Sequence, residues 1–122
     1  MTKDLGAVPT EQLVAAYVDL SLHEDDATLR NQVGRANRAV RQRMKIEGVL
    51  RARGMHARRA LVPLLKHPSA QVRLNSAKDL LAVVPAEARA TLEELAAHGP
   101  GDQRGSAGMC LLLMDEGTFK PT

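Results

Sequence analysis

Residues 57–117 contain a helical-hairpin pattern that occurs twice, with the second copy thirty-one residues after the first. The residues that recur at this interval are Arg58 and Arg89, Leu61 and Leu92, Leu64 and Leu95, His67 and His98, Arg73 and Arg104, Leu80 and Leu111, and Leu81 and Leu112. Self-similarity at such a period is typical of stacked helical repeats, because one hairpin cannot bury its apolar face without a neighbour. The repetition constrains the architecture more than the activity, since the surfaces of a scaffold decide what it does.

The composition predicts an all-helical chain. Aromatic residues make up 2% of the 122 residues, and there is a single Phe, a single Tyr and no Trp. Residue types that favour strands are scarce, whereas the strong helix formers Ala and Leu dominate. A chain of this length is expected to form one domain.

The single cysteine and the lack of long apolar runs indicate a cytoplasmic protein. Cys110 has no partner for an internal disulfide, which is typical of a reducing compartment. No apolar run approaches the ~18 residues that a membrane span needs, and the N-terminus has no signal-peptide core. We therefore expect no membrane partner.

The N-terminal part is predicted to form two helices. Thr10 is the expected N-cap of the first helix, an interruption is expected between Glu24 and Gly34, and the second helix is expected to run to about Arg53, with Gly54 as its stop. The predicted apolar residues are Leu13, Val14, Tyr17, Val18 and Leu22 on the first helix, and Val33, Ala36, Val40 and Met44 on the second.

Two hairpins are predicted to follow. The first pairs a helix at about His56–Lys66, bent at Pro63, with one at about Ser69–Val84. The second pairs a helix from Pro85 to about Ala97 with one that Asp102 caps and that runs to about Glu116. The predicted organisation of the single domain 1–122 is thus an N-terminal helical pair at 10–54, repeat hairpins at 55–84 and 85–117, and a tail at 118–122.

The first hairpin resembles a HEAT repeat. The residues that carry this resemblance are Leu61-x-Pro63-Leu64-Leu65-x-His67-Pro68, then Val72-Arg73, Ala77 and Leu80-Leu81. Over residues 12–122 the chain also resembles a family of small, single-domain HEAT-like proteins classed as a domain of unknown function. The residues that carry this second resemblance are Asn37-Arg38, Leu50-x-x-x-Gly54, Ala107-Gly108-Met109 and Gly117-x-Phe119-Lys120-Pro121.

The family resemblance implies an all-α fold and no established chemistry. The fold that it implies is a HEAT/armadillo-like, right-handed stack of about six helices, an alpha-alpha superhelix. No functional residue is carried over from the family, because none has an established role there.

The charge is distributed unevenly along the chain. Residues 1–27 have a net charge of −5, residues 28–59 a net charge of +9, and the remaining residues a net charge of −1. Within the basic block, four residues are predicted to share one side of the second helix, and we call them the basic stripe. They are Arg30, Arg38, Arg41 and Lys45.

Three interpretations of the basic stripe remain open. It is a solvated face or one neutralised by the acidic first helix, a docking surface for an acidic protein, or a surface for a nucleic-acid backbone. Arginine suits the last two because its planar fork binds carboxylates and phosphates bidentately. Tyr17 and Phe119 are the only aromatic residues, so base stacking on single strands is nearly excluded.

The residues that recur between the hairpins have structural and functional interpretations. Arg73 and Arg104 are expected either to bind carboxylates of the adjoining repeat or to face a ligand. His67 and His98, each just before a turn, are expected to bond free carbonyls at helix ends. A metal site would need further ligands, and Cys110 has no CxxC or HxxxH context, so it is expected to be a small buried hydrophobe.

These patterns predict a non-catalytic protein–protein interaction module with an unknown, acidic protein partner. The candidate partner surface comprises Arg30, Arg38, Arg41, Lys45, Arg73 and Arg104. No cofactor is expected, and a homodimer through the apolar last helix stays open. Two alternatives are kept: a binder of duplex nucleic-acid backbones that uses the basic second helix, and, more remotely, an enzyme with a dispersed site, although no catalytic motif is present.

Overall fold

Helices make up all the regular secondary structure of residues 4–122, the part of the chain that the computed structural model describes. The α-helices are α1 (Thr10–Leu29), α2 (Val33–Arg53), α3 (Met55–Arg58), α4 (Ala70–Leu80), α5 (Pro85–His98) and α6 (Gly101–Asp115). Two 3₁₀ helices lie at Leu5–Ala7 and Arg59–Lys66. The predicted all-helical class is confirmed, with six α-helices in this range. The contacts divide the chain into two compact units, one that ends at Ala60 and one at Leu61–Thr122.

The first unit is built on the antiparallel hairpin of α1 and α2. The predicted interruption between Glu24 and Gly34 is confirmed, and it is short, because only residues 30–32 separate the two helices. Asn31 adopts a left-handed backbone conformation with a φ of 58°, which asparagine tolerates better than most residues. The Gln32 N–H then donates to the Ala27 carbonyl, which closes the end of α1.

The buried side of α2 differs from the predicted one. Val33 and Met44 were expected to face the core, yet their exposed fractions are 67% and 59%. The residues of α2 that are buried are Ala39, Arg43, Ile46 and Leu50. The helix is therefore rotated by roughly a quarter turn from the expected orientation. The hydrophobic pattern failed here because a charged residue occupies a core position.

One arginine fastens the N-terminal segment to the end of α2. The Arg53 guanidinium donates to the carbonyls of Leu5 (3.2 Å), Gly6 (3.1 Å) and Val8 (2.5 Å) and to the Thr10 hydroxyl (3.1 Å). Thr10 was expected to be the N-cap of α1. It is instead the first helical residue, and its hydroxyl accepts this bond from Arg53 rather than one from the helix.

Pro63 shapes the start of the first repeat hairpin. A continuous helix at His56–Lys66 was expected, but α3 ends at Arg58 and a 3₁₀ helix continues through Pro63. Proline has no N–H to donate and its ring crowds the carbonyl four residues earlier, so the tighter 3₁₀ winding replaces the α-helix.

The remaining helix ends follow local capping rules. The Ser69 hydroxyl accepts from the Val72 N–H (3.3 Å) and caps α4, which ends at Leu80, four residues before the expected end. Pro85 opens α5 as predicted. Asp102 was expected to cap α6, but the helix begins at Gly101 and Asp102 lies in its first turn.

Hydrogen bonds between side-chain amides cross the core of the second unit. Gln103 of α6 donates through Nε2 to Oε1 of Gln71 (2.8 Å), and Gln71 donates to Oδ1 of Asn75 (3.0 Å). All three side chains are buried. Because unsatisfied buried amides are costly, these bonds favour a single register between α4 and α6.

Candidate functional site

Most arginines of the basic block that precede α3 are engaged within the first unit. Asp26 accepts from Arg35 (2.7 Å) and from Arg30 (3.0 Å). The hydrogen bonds from Arg35 and then Arg30 hold the pKa of the Asp26 carboxyl below its ordinary value. Arg30 was predicted to lie on the second helix, but it is the C-cap residue of α1 and does not share a face with the α2 bases.

Arg43 forms the charged centre of the α1–α2 contact. Its guanidinium donates to Glu24 (3.2 Å) and Glu47 (3.0 Å), and its carbon Cζ lies 6.0 Å from the centre of the Tyr17 ring. The Arg43 side chain is only 11% exposed. A charge at this depth is tolerable because two carboxylates and an aromatic face compensate its desolvation.

The exposed bases of α2 are Arg38, Arg41, Lys45 and Arg51. The first three share one side of the helix, and we call them the basic lane. They make no hydrogen bond or ion pair with any residue in 4–122, in contrast to the four arginines described above. At 100° per residue they lie within an arc of about 60°, and they span about 10 Å along the helix axis. The acidic first helix thus neutralises part of the basic block but not these three side chains.

Arg73 and Arg104 hold turns rather than carboxylates. Arg73 donates to the carbonyls of His67 (2.7 Å) and Pro68 (2.9 Å). Arg104 donates through Nε to the Gly99 carbonyl (3.0 Å), and Gly99 lies thirty-one residues after Pro68. The carboxylate ladder that the sequence suggested is replaced by an equivalent side-chain-to-turn bond in each hairpin.

His67 also acts within its own turn, but in the opposite sense to the prediction. The imidazole was expected to donate to free carbonyls, whereas its Nδ1 accepts a hydrogen bond from the Ser69 N–H (3.0 Å). Cys110 is buried, as predicted, and burial raises the pKa of its thiol. Within residues 4–122 no group of three or more His, Cys, Asp or Glu side chains is arranged to hold a metal ion.

Each of the two units has an open groove that carries titratable side chains, and we describe one from each. One in the first unit, of about 540 Å³, has Asp19, His23 and Lys45 among its lining residues. The other, in the second unit, of about 510 Å³, has an apolar floor that includes Val62 and Pro63. No hydrogen bond joins Asp19 to His23 among the described residues, so they do not form an oriented acid–base pair.

The comparisons with known proteins identify the family. The family described as "Domain of unknown function (DUF2019)" matches residues 11–115. The chain belongs to this family. It is also similar to a solved structure, the protein RPA1889 from Rhodopseudomonas palustris CGA009, with 43% identity and a TM-score of 0.94. That match covers 99% of this chain and 100% of the other. Among curated proteins there is no significant match.

The DUF2019 match confirms the predicted membership of a family classed as a domain of unknown function. No helix in residues 4–122 combines the length and the apolar character that crossing a bilayer requires. The family description assigns no chemistry.

Sequence reasoning missed the internal roles of Arg35, Arg43 and Arg53. The i,i+4 spacing of Arg43 and Glu47 was a visible signal for one ion pair. The sequence carried no corresponding signal for Arg53, whose partners lie more than forty residues away.

Proposed function

We propose that this DUF2019 protein is a non-catalytic protein–protein interaction module that binds an acidic partner through the basic lane. The observation that carries the proposal is the contrast within one charge block. Arg30, Arg35, Arg43 and Arg53 have internal acceptors, whereas Arg38, Arg41 and Lys45, on one exposed side of α2, have none within residues 4–122.

The electrostatics of the basic lane favour recognition of a negatively charged surface. Three like charges within about 10 Å repel one another, and the screening length at physiological salt is about 8 Å. A carboxylate-rich partner would relieve this repulsion and would be steered toward the lane. Exposed pairs of this kind mainly change association rate and specificity, so the affinity should fall as salt is added.

We further propose a HEAT- or armadillo-like architecture and a cytoplasmic setting. Arg73 and Arg104 support turns, and we leave them outside the docking surface. The equivalent contacts in the two hairpins support a HEAT- or armadillo-like right-handed superhelix in residues 61–122, which superposition of the hairpins in a crystal structure would test. A cytoplasmic setting fits the lone free thiol of Cys110 and is testable by cell fractionation.

Charge reversal with a matched control tests the proposal. The tagged full chain is compared with Arg38→Glu/Arg41→Glu/Lys45→Glu and with Lys66→Glu/Lys78→Glu/Lys120→Glu, which changes the net charge equally at other exposed bases. After nuclease treatment, a protein that the native chain and the control retain, and the lane variant loses, supports the proposal. Equal retention by both variants would overturn it, provided that circular dichroism shows both folded.

The second candidate function is binding of duplex nucleic-acid backbones. It is favoured by the same three basic side chains, which have no ion pair within residues 4–122. Three phosphate contacts predict a slope of about −2.7 in the logarithm of affinity against the logarithm of salt concentration, independent of sequence. Fluorescence anisotropy with mixed-sequence duplexes measures this slope. Sequence-selective binding that persists in the lane variant would exclude this candidate.

A further inference from the structure

Beside the basic lane, α2 exposes a row of apolar side chains, Val33, Val40 and Met44, which we call the apolar lane. Val33 and Met44 are 67% and 59% exposed, and Val40 is half-buried. Their spacing, i, i+7 and i+11, places them within an arc of about 40° at 100° per residue. The sequence pattern marked these residues as core, yet the first unit buries a different side of the helix.

The two lanes run in parallel along the same helix. The apolar lane is centred roughly 110° around the helix from the basic lane, and both lie outside the buried side formed by Ala39, Arg43, Ile46 and Leu50. Single exposed apolar residues are common on protein surfaces. A row at helical spacing next to a row of charges is instead typical of a surface that receives an amphipathic helix.

We infer that α2 receives an amphipathic helix of a partner protein, whose apolar side covers the apolar lane and whose flanking Asp and Glu side chains bind the basic lane. This inference rests on the proposed function and narrows its partner class. Charge complementarity selects the occupant, because the only acid on α2 is Glu47, and that side chain already accepts from Arg43.

The same charges argue against a second copy of the chain on this face. Two α2 helices packed through their apolar lanes would bring two basic lanes together with no acid of α2 available to neutralise them. A nucleic-acid backbone would match the basic lane but would leave the apolar lane uncovered. A membrane surface would gain little, since the apolar lane has no aromatic residue and only two largely exposed side chains.

A designed peptide tests the inference on the full chain. The probe is a fluorescein-labelled 18-residue helical peptide with leucines at i, i+4, i+7 and i+11 and glutamates beside them. Its comparison is a scrambled peptide of the same composition, which keeps the charge but loses the apolar row. We expect the patterned peptide to bind at least tenfold more tightly than the scrambled one in fluorescence anisotropy.

Two matched variants separate the apolar lane from general surface hydrophobicity. Val33→Ser/Met44→Gln is expected to weaken binding of the patterned peptide at least tenfold. Met109→Gln/Leu112→Ser, which removes two exposed apolar side chains of α6, is expected to change it less than twofold. Lane substitutions at exposed positions should leave the thermal unfolding midpoint within a few degrees of the native value, which circular dichroism checks.

Failure of this inference is distinguishable from failure of the proposed function. Equal affinity for patterned and scrambled peptides, or unchanged affinity in Val33→Ser/Met44→Gln, overturns the helix-docking inference while charge-dependent capture still supports the interaction module. Failure of the patterned peptide to bind at 1 mM overturns it as well. So does a dimer in sedimentation equilibrium, or binding to phosphatidylglycerol vesicles, that Val33→Ser/Met44→Gln abolishes.

Discussion

Arg104 donates through Nε to the Gly99 carbonyl, and Arg73, thirty-one residues earlier, donates through Nη1 to the equivalent Pro68 carbonyl. The two bonds join equivalent positions of the two hairpins and span five residues each. The turn carbonyls precede a helix and have no helical donor, so the guanidinium supplies one.

Loss of these contacts should destabilise the fold unequally. Arg73→Ala removes two hydrogen bonds to carbonyls and is expected to lower the free energy of unfolding by about 1–2 kcal/mol, whereas Arg104→Ala removes one bond and should cost about 0.5–1 kcal/mol. Urea denaturation measures both. Lys66→Ala, at an exposed base with no bond of this kind, is the control, and an effect as large as that of Arg73→Ala would argue against the turn contacts as the cause.

The free energy of unfolding should fall more when Arg43 alone is replaced than when Glu24, Arg43 and Glu47 are all replaced. Arg43→Met leaves Glu24 and Glu47 close together without their cation, and we expect a loss of about 3–5 kcal/mol. Replacing the whole cluster by Glu24→Leu/Arg43→Met/Glu47→Leu should recover most of this loss, since no charge is then left buried. Thermal and urea unfolding measure the stability of the two variants. A triple variant that is less stable than Arg43→Met would contradict the expectation.

The lowered pKa of Asp26 predicts that stability depends on pH in the acidic range. Its folded pKa is lowered from the ordinary value of 3.8, so its contribution to stability is fully present above pH 3.8 and is lost as the pH falls through the folded value. Asp26→Asn should therefore reduce stability at pH 7 and make progressively less difference below pH 3.8. Asp19→Asn, at an exposed acid on the same helix, is the control. Parallel pH profiles for the native chain and Asp26→Asn would refute this prediction.

Arg53 should control the order of the N-terminal segment more than global stability. Arg53→Ala removes four hydrogen bonds to residues 5–10 and should raise amide exchange there by an order of magnitude or more, with a loss of about 2 kcal/mol in unfolding free energy. Hydrogen–deuterium exchange with mass spectrometry resolves the segment. Arg51→Ala, two residues away and exposed, should leave the exchange at residues 5–10 unchanged.

Local signals predicted the fold where short-range chemistry decides it. The break between α1 and α2, the stop at Gly54 and the Pro85 start of α5 were all predicted, because capping and turn residues act within a few positions. Pro63 was recognised as a disturbance, but a 3₁₀ helix rather than a bend resulted, because the segment had only one short helical turn before the proline.

The pattern of apolar residues could not predict which side of α2 is buried. The apolar pattern contained no signal for the burial of Arg43, which depends on Glu24, nineteen residues earlier, and on the Tyr17 ring. The candidate site was accordingly predicted in part. Arg38, Arg41 and Lys45 lie together as expected, while Arg30 is separated from them by the end of α1.

The hydrogen bonds from Arg53 to residues 5–10 have a consequence for folding during synthesis. Residues 5–10 are synthesised before the guanidinium that binds their carbonyls, since Arg53 is added more than forty residues later. On the ribosome, residues 5–10 therefore remain without these hydrogen bonds until all of α2 has been made.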